Sequence, residues 1–198
     1  MSITSKANTE SIFKWIEDGN HRTYLSVEHA VLMYKNFEGR PDKFNVKGGK
    51  RTFNLVLSNE AAQELKELGW NVKEKAPRDV DEDWLYTTEI VVNMDSLYPP
   101  KMYICTEKKG KKRMILLDAD MIKELDTGEF SNIDVVINPY EHDKDARYRF
   151  KGYCHKLFAT QATSTDFGDK YADFEIANDP AMIAHPSEDE IDDGDLPF

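Results

Sequence analysis

Short apolar runs of strand length, each cut off by glycine, proline or a charged cluster, set what this chain can fold into. AVLMYKNF (residues 30–37), RTFNLVL (51–57, behind Gly48-Gly49) and WLYTTEIVVNM (84–94) read as strands. KMYICTEKKGKKRMILLD (101–118) reads as a hairpin turning at the lysine-glycine cluster of residues 108–112. IDVVINPY (133–140) and RYRFKGYCHKLFATQ (147–161) are two more strands. Helical periodicity is confined to two places. In SNEAAQELKELGW (58–70), Ala61, Leu65 and Leu68 share a face, Ser58 or Asn59 caps the start, and Gly69 stops the helix. DADMIKELDTGEF (118–130) predicts a short helix starting near Asp118 and ending by Gly128. Residues 1–22 are polar with a short amphipathic piece, Ile12, Phe13, Trp15 and Ile16, read as a docking helix or an arm, and residues 73–83 read as a charged loop. Without βαβ alternation, this pattern predicts a mainly β domain, a small, strongly bent barrel with one or two short helices.

Charge divides the chain. Over all 198 residues the formal net charge is −11, but residues 166–198 hold eleven acidic groups against Lys170 alone. The preceding 165 residues are almost balanced at −1, so local basic patches rather than the pooled charge decide whether nucleic acid is a partner. The predicted organisation is a folded domain over residues 1–165 and an acidic, disordered tail over 166–198. No apolar run approaches eighteen residues, the N-terminus has no signal-peptide core, and Cys105 and Cys154 are the only cysteines. These features predict a cytoplasmic protein with reduced thiols and no membrane partner.

No catalytic motif emerges: Walker A, G-x-G-x-x-G, G-x-S-x-G and H-E-x-x-H are all missing. Cys154-His155 with Cys105 lacks the paired cysteine spacing of structural zinc, and Asp118 with Asp120 reads as a capped helix start. No cofactor, metal or enzymatic activity is expected. The stronger signal is aromatic residues interleaved with basic ones. Tyr34, Lys35, Phe37, Arg40, Phe44, Lys47, Lys50 and Arg51 form one group; Arg147, Tyr148, Arg149 and Tyr153 form another. Bases stack on aromatic faces while phosphates follow Lys and Arg, so this mixture suits a single strand. The same aromatics would also serve as core. Strict alternation puts Arg147, Arg149, Lys151 and Tyr153 on one face, with Tyr148, Phe150, Cys154, Lys156 and Phe158 on the other. The loop around Gly48-Gly49 reads as a mobile basic segment able to close over a strand.

The terminal PSEDEIDDGDLPF places Asp192, Asp193 and Asp195 before Leu196, Pro197 and Phe198. In this tip, and in its strand pattern, the chain resembles OB-fold single-stranded DNA-binding proteins, as a divergent phage-type member with the acidic tip of bacterial members. The tip differs from the bacterial pattern by an interrupting Gly194 and by Leu in place of Ile. The resemblance implies a five-stranded, OB-fold-like bent barrel that binds single-stranded DNA in a bacterial host's cytoplasm during replication or recombination. It implies too that the tip recruits replication and repair proteins, and it leaves a homo-oligomer open. Two other readings remain at this point: a nuclease with a recruiting tail, and a replisome adaptor that does not bind DNA.

Overall fold

The computed structural model describes residues 10–43, 45–79, 82–108, 111–142 and 147–161. All lie in the first of the two units into which the chain divides, Met1–Thr163 and Ser164–Phe198. The strands are β1 (Ile12–Glu17), β2 (Thr23–Glu28), β3 (Leu32–Asn36), β4 (Arg51–Leu57), β5 (Val72–Lys75), β6 (Leu85–Val92), β7 (Lys101–Lys108), β8 (Lys111–Leu117), β9 (Phe130–Glu141) and β10 (Phe150–Gln161). Helix α1 (Asn59–Glu67) follows β4, and α2 (Glu124–Thr127) precedes β9. The mainly β expectation with one or two short helices holds. Among the described residues the sheet has ten strands rather than five and is not closed into a barrel. The acidic tail lies outside the described residues. Among those residues no helix is long and apolar enough to cross a membrane.

Strand β10 organises the sheet. One edge runs antiparallel to β9, from Phe150↔Glu141 to Gln161↔Phe130. Its other edge is shared: Gly152 and Tyr153 pair in parallel with Ile90 and Val91 of β6, then Lys156 to Thr160 pair in parallel with Lys101 to Cys105 of β7. The sheet continues from β9 through β2 to β1, and from β6 through β4 to β3. Strand β5 lies on β6, and β8 pairs with β7.

Burial along β10 changes phase in the middle. Gly152 and Cys154 are buried before the register shift between Cys154 and Lys156; Leu157 and Ala159 are buried after it. A bulge adds one residue and flips the strand's alternation. The strict two-residue reading is corrected here: Lys156 and Phe158 lie on the side of Lys151 and Tyr153, opposite Cys154.

The inner face carries the core, with Phe53, Leu55, Ile90, Met102, Val135, Ile137 and Leu157 all buried. Helix α1 covers part of it with Ala61, Ala62 and Leu65. Ser58 caps that helix, its side-chain oxygen accepting from Ala61 N at 3.2 Å, and Gly69 ends it at φ +86°. Leu68, expected on the buried face, sits at the C-cap and is exposed. The amphipathic piece near the N-terminus is strand β1, not a helix. Phe13 packs against the core, and the Trp15 indole N–H donates to Glu64 of α1 at 2.7 Å. Part of the charged loop became β5, paired on β6 from Val72↔Thr88 to Lys75↔Leu85.

Gly152 marks a tight crossing. A Cβ there would stand 2.6 Å from Ile90 Cδ1 and 2.7 Å from Trp70 Cζ3, both in fully packed side chains. Gly152→Ala is therefore expected to lower stability by about 1–3 kcal/mol through overpacking. Thermal or urea unfolding checks this, and an unchanged midpoint would refute the tight crossing.

Candidate nucleic-acid interface

The outer face of the sheet opposite the core gathers aromatic side chains along β10. One rung crosses four strands in register: Thr52 on β4, Val91 on β6, Tyr153 on β10 and Asn138 on β9. Beside it Tyr140 meets Tyr153 edge-on, with centroids 5.9 Å apart and planes at 88°. Past the bulge, Phe158 stacks on Tyr103 of β7 at 5.1 Å and 9°. Between the two pairs, the bulged His155 stacks on Tyr24 at 4.8 Å. Tyr24 is in turn held by Asp18, whose carboxylate accepts from the Tyr24 hydroxyl and from the backbone N–H groups of Asn20 and Arg22.

Cations line the same face. Lys101, Lys151 and Lys156 are exposed, and Lys101 pairs directly with Lys156 across the parallel ladder. The Lys50 ammonium contacts Glu89 of β6 at 2.8 Å, which places it on this face close to the Tyr153 rung. Burial holds His155 below the ordinary imidazole range; Lys156 pushes the same way, Asp18 opposes, and Lys101 and Arg22 add smaller depressions. An imidazole depressed by burial and by neighbouring lysines marks a locally positive, partly dry surface. Cys154 lies on the inner side, its thiol pushed up to about 12 by burial. Cys105 belongs to the outer face, opposite Thr160, so the sheet separates the two sulfurs.

The residues singled out in the sequence fall into separate places. Tyr153 and Lys50 belong to the outer face. Tyr34 is 67% exposed at the irregular pairing of β3 with β4, in a left-handed conformation at φ +49°. Phe37 is corrected: it is 0% exposed and packs on Phe53 at 5.5 Å, leaving no face for a base. Lys35 donates to the Leu125 carbonyl at 2.8 Å, which directs its ammonium to α2. The Asp126 carboxylate of α2 accepts from the backbone N–H groups of Phe37 and Glu38 and lies 3.8 Å from Arg40. Gly49 N donates to Gly39 O at 2.7 Å, so the basic loop is tied at its base. Lys47 is exposed on that loop. Arg51 follows the core-side alternation, and its Nε is buried without a hydrogen-bond partner among the described residues. Phe44 and the tip residues Asp192, Asp193, Asp195, Leu196, Pro197 and Phe198 lie outside the described residues.

Arg147, Tyr148 and Arg149 precede β10 rather than belonging to it. Arg147 and Tyr148 turn towards α1 and line a cleft of about 470 Å³ with Lys66, Trp70, Val72 and Glu74. Arg149 pairs with Glu141 at 2.6 Å and stacks over Phe150. Sequence reasoning did not select Tyr103, Tyr140, Phe158, Lys101, Lys151 and Lys156 as site residues. For Lys156 and Phe158 the obstacle was the bulge, which strict alternation conceals.

Residues 18–195 match the family described as "Putative phage ssDNA-binding domain". That span takes in most of the chain, and the chain belongs to this family of phage single-stranded-DNA-binding domains. No curated protein matches the sequence. Among solved structures it is similar to the single-stranded DNA-binding protein from bacteriophage Enc34 in complex with ssDNA, at 10% identity and TM-score 0.43, over 70% of this chain and 86% of that one. Another structure of the Enc34 protein gives 11% identity and TM-score 0.41 over 81% and 99%. Both scores fall below 0.5, and the assignment rests on the family match.

Two substitutions separate core from surface in the 34–37 segment. Phe37→Ala should cost about 3–5 kcal/mol, as expected for a fully buried aromatic. Tyr34→Gly keeps the left-handed backbone but relieves its cost to an L-residue, roughly 1–2 kcal/mol, partly offset by glycine's greater chain entropy. Its melting temperature should hold or rise, and a large loss in calorimetry would contradict this placement.

Proposed function

We propose that the protein binds single-stranded DNA without sequence preference along the outer face of β10, protecting exposed strands during replication or recombination in a bacterial host's cytoplasm. The observation that carries this reading is the line Tyr140, Tyr153, Phe158 and Tyr103, flanked by Lys151, Lys156 and Lys101, in a chain of this family. Aromatic faces accept any base, and the lysines suit the phosphates beside them. Tyr34 and the loop bearing Arg40, Lys47 and Lys50 extend this face at the β3–β4 end, and Phe44 is proposed with them as a stacking residue. Arg51, Arg147 and Arg149 contribute positive charge around its margins, and Tyr148 an aromatic face beside them.

The C-terminal tip is the second part of the proposal. Asp192, Asp193 and Asp195 supply electrostatic steering, and Leu196, Pro197 and Phe198 supply an apolar anchor for basic-rimmed pockets on replication and repair proteins. A tethered polyanion also competes with DNA for the lysines at low salt. Occupancy by DNA then releases the tip to its partners.

Fluorescence titration of a labelled oligonucleotide tests both parts. Single strands should bind more tightly than duplex, with a log–log salt slope near −0.7 per phosphate neutralised. Tyr153→Ala and Phe158→Ala should each weaken binding roughly 5- to 150-fold, the range set by losing one stacked base. Deleting residues 186–198 should raise affinity, most at low salt, whereas Phe198→Ala should lose partner capture while leaving DNA affinity unchanged. Unchanged affinity in a folded Tyr153/Phe158 double variant would move the site elsewhere. A truncated chain that binds no tighter at low salt would remove the competition step.

A further inference from the structure

Strand β8 is an apolar edge that, among the described strands, meets no neighbour on its far side. It pairs only with β7, from Met102↔Leu117 to Lys108↔Lys111. Three consecutive residues in its middle are exposed: Met114 at 59%, Ile115 at 48% and Leu116 at 57%. Met114 and Leu116 share the outer side with Cys105 and Tyr103, whereas Ile115 lies on the inner side with Leu117. Both sides of the strand and its open row of backbone groups are therefore left for a partner. A long, apolar, unprotected edge is a template for pairing with another strand.

We propose that β8 is a self-association edge, on which a second copy of this chain adds its own β8 in antiparallel fashion about a two-fold axis at Ile115. Charge selects this arrangement. Lys111, Lys112 and Arg113 occupy one end of the strand, and Asp118 and Asp120 follow the other. Centring the pair on Ile115 sets Met114 opposite Leu116 of the second copy, Arg113 opposite Leu117, and Lys112 opposite Asp118. A parallel pairing would instead bring the two basic ends together, which is destabilising. Centring on Leu116 would set Met114 opposite Asp118, and centring on Met114 would set Lys112 opposite Leu116. Only the Ile115 axis covers all three exposed apolar residues while matching opposite charges.

Because directly opposed residues in an antiparallel pair share a face, the two outer faces would lie on the same side of one continuous sheet. The Tyr103–Phe158 pairs of both copies would then flank the axis. The inference rests on β8 alone and holds with or without DNA.

Sedimentation equilibrium of the full chain without DNA tests it. The native chain should show a concentration-dependent monomer–dimer equilibrium, and Ile115→Glu should weaken it at least tenfold while keeping its circular dichroism. A residue on the axis faces its own symmetry mate at about 4.5–5.5 Å between Cα atoms, within disulfide reach. In a Cys105→Ser background, Ile115→Cys should therefore cross-link to a dimer under mild oxidation. Arg113→Cys, roughly 13 Å from its mate at the strand rise, should not. A native chain that stays monomeric at hundreds of micromolar would overturn the proposal. So would equal cross-linking at both positions, or an Ile115→Glu variant that sediments like the native chain. If Ile115→Glu lost oligonucleotide affinity while the native chain remained a monomer, β8 would belong to the DNA face instead.

Discussion

Strand β10 has to satisfy two different neighbours along a single edge. Its early residues pair in parallel with β6 and its later residues in parallel with β7, and the bulge at His155 lies between the two pairings. The bulge lets one strand keep its apolar residues inward on both sides of that junction. Gly152 permits the first crossing, where Ile90 and Trp70 approach too closely for any side chain. Past the bulge, Leu157 and Ala159 take over the core side that Cys154 occupied before it. The same phase flip brings Lys156 and Phe158 round to the face of Tyr153. Core continuity and the assembly of the outer face are thus two results of one inserted residue.

Several locally unfavourable choices collect on or beside that face. Lys101 and Lys156 stand directly opposite each other, an arrangement that costs stability in a ladder. His155 is partly buried among positive charges. Tyr34 holds a left-handed conformation that bulky residues avoid. None of these helps the isolated domain fold. A polyanion laid across the lysines would convert the first two from liabilities into contacts, which accords with the proposed ligand. Local rules broken together at one surface are expected where function rather than stability selects the residues.

Much of the fold was legible because the signals were local. RTFNLVL alternates cleanly and is β4; Ser58 and Gly69 bracket α1; β7 and β8 pair as the hairpin expected of residues 101–118. What failed depended on long-range pairing. The Ile12–Ile16 piece has helix-like spacing, but its place beside β2, a strand not singled out in the sequence, makes it β1. Residues 72–75 are charged enough to read as loop, yet the β6 edge recruits them as β5. The aromatic-basic signal included Tyr153 of β10 but not Lys156 and Phe158, which the structure brings to the same face, because a bulge leaves no mark in composition. Phe37 looked like its exposed neighbour Tyr34, and only the tertiary contact with Phe53 tells them apart.

His155 offers the most direct test of where DNA lies, since it sits between the two aromatic pairs and beside Lys156. In the DNA-free protein its imidazole is held below the ordinary range, first by burial and then by Lys156. Phosphates bound along Lys156 and Lys101 would favour the imidazolium and raise that pKa. By linkage, the protein should take up protons on binding, and affinity should strengthen as the pH falls through the interval between the free and bound values. An NMR titration of the His155 ring protons, with and without a saturating oligonucleotide, measures this at one atom. The account predicts an upward shift in the complex, lost from the affinity profile in His155→Gln. A His155 titration unaltered by saturating DNA would show that the strand does not cross the outer face of β10.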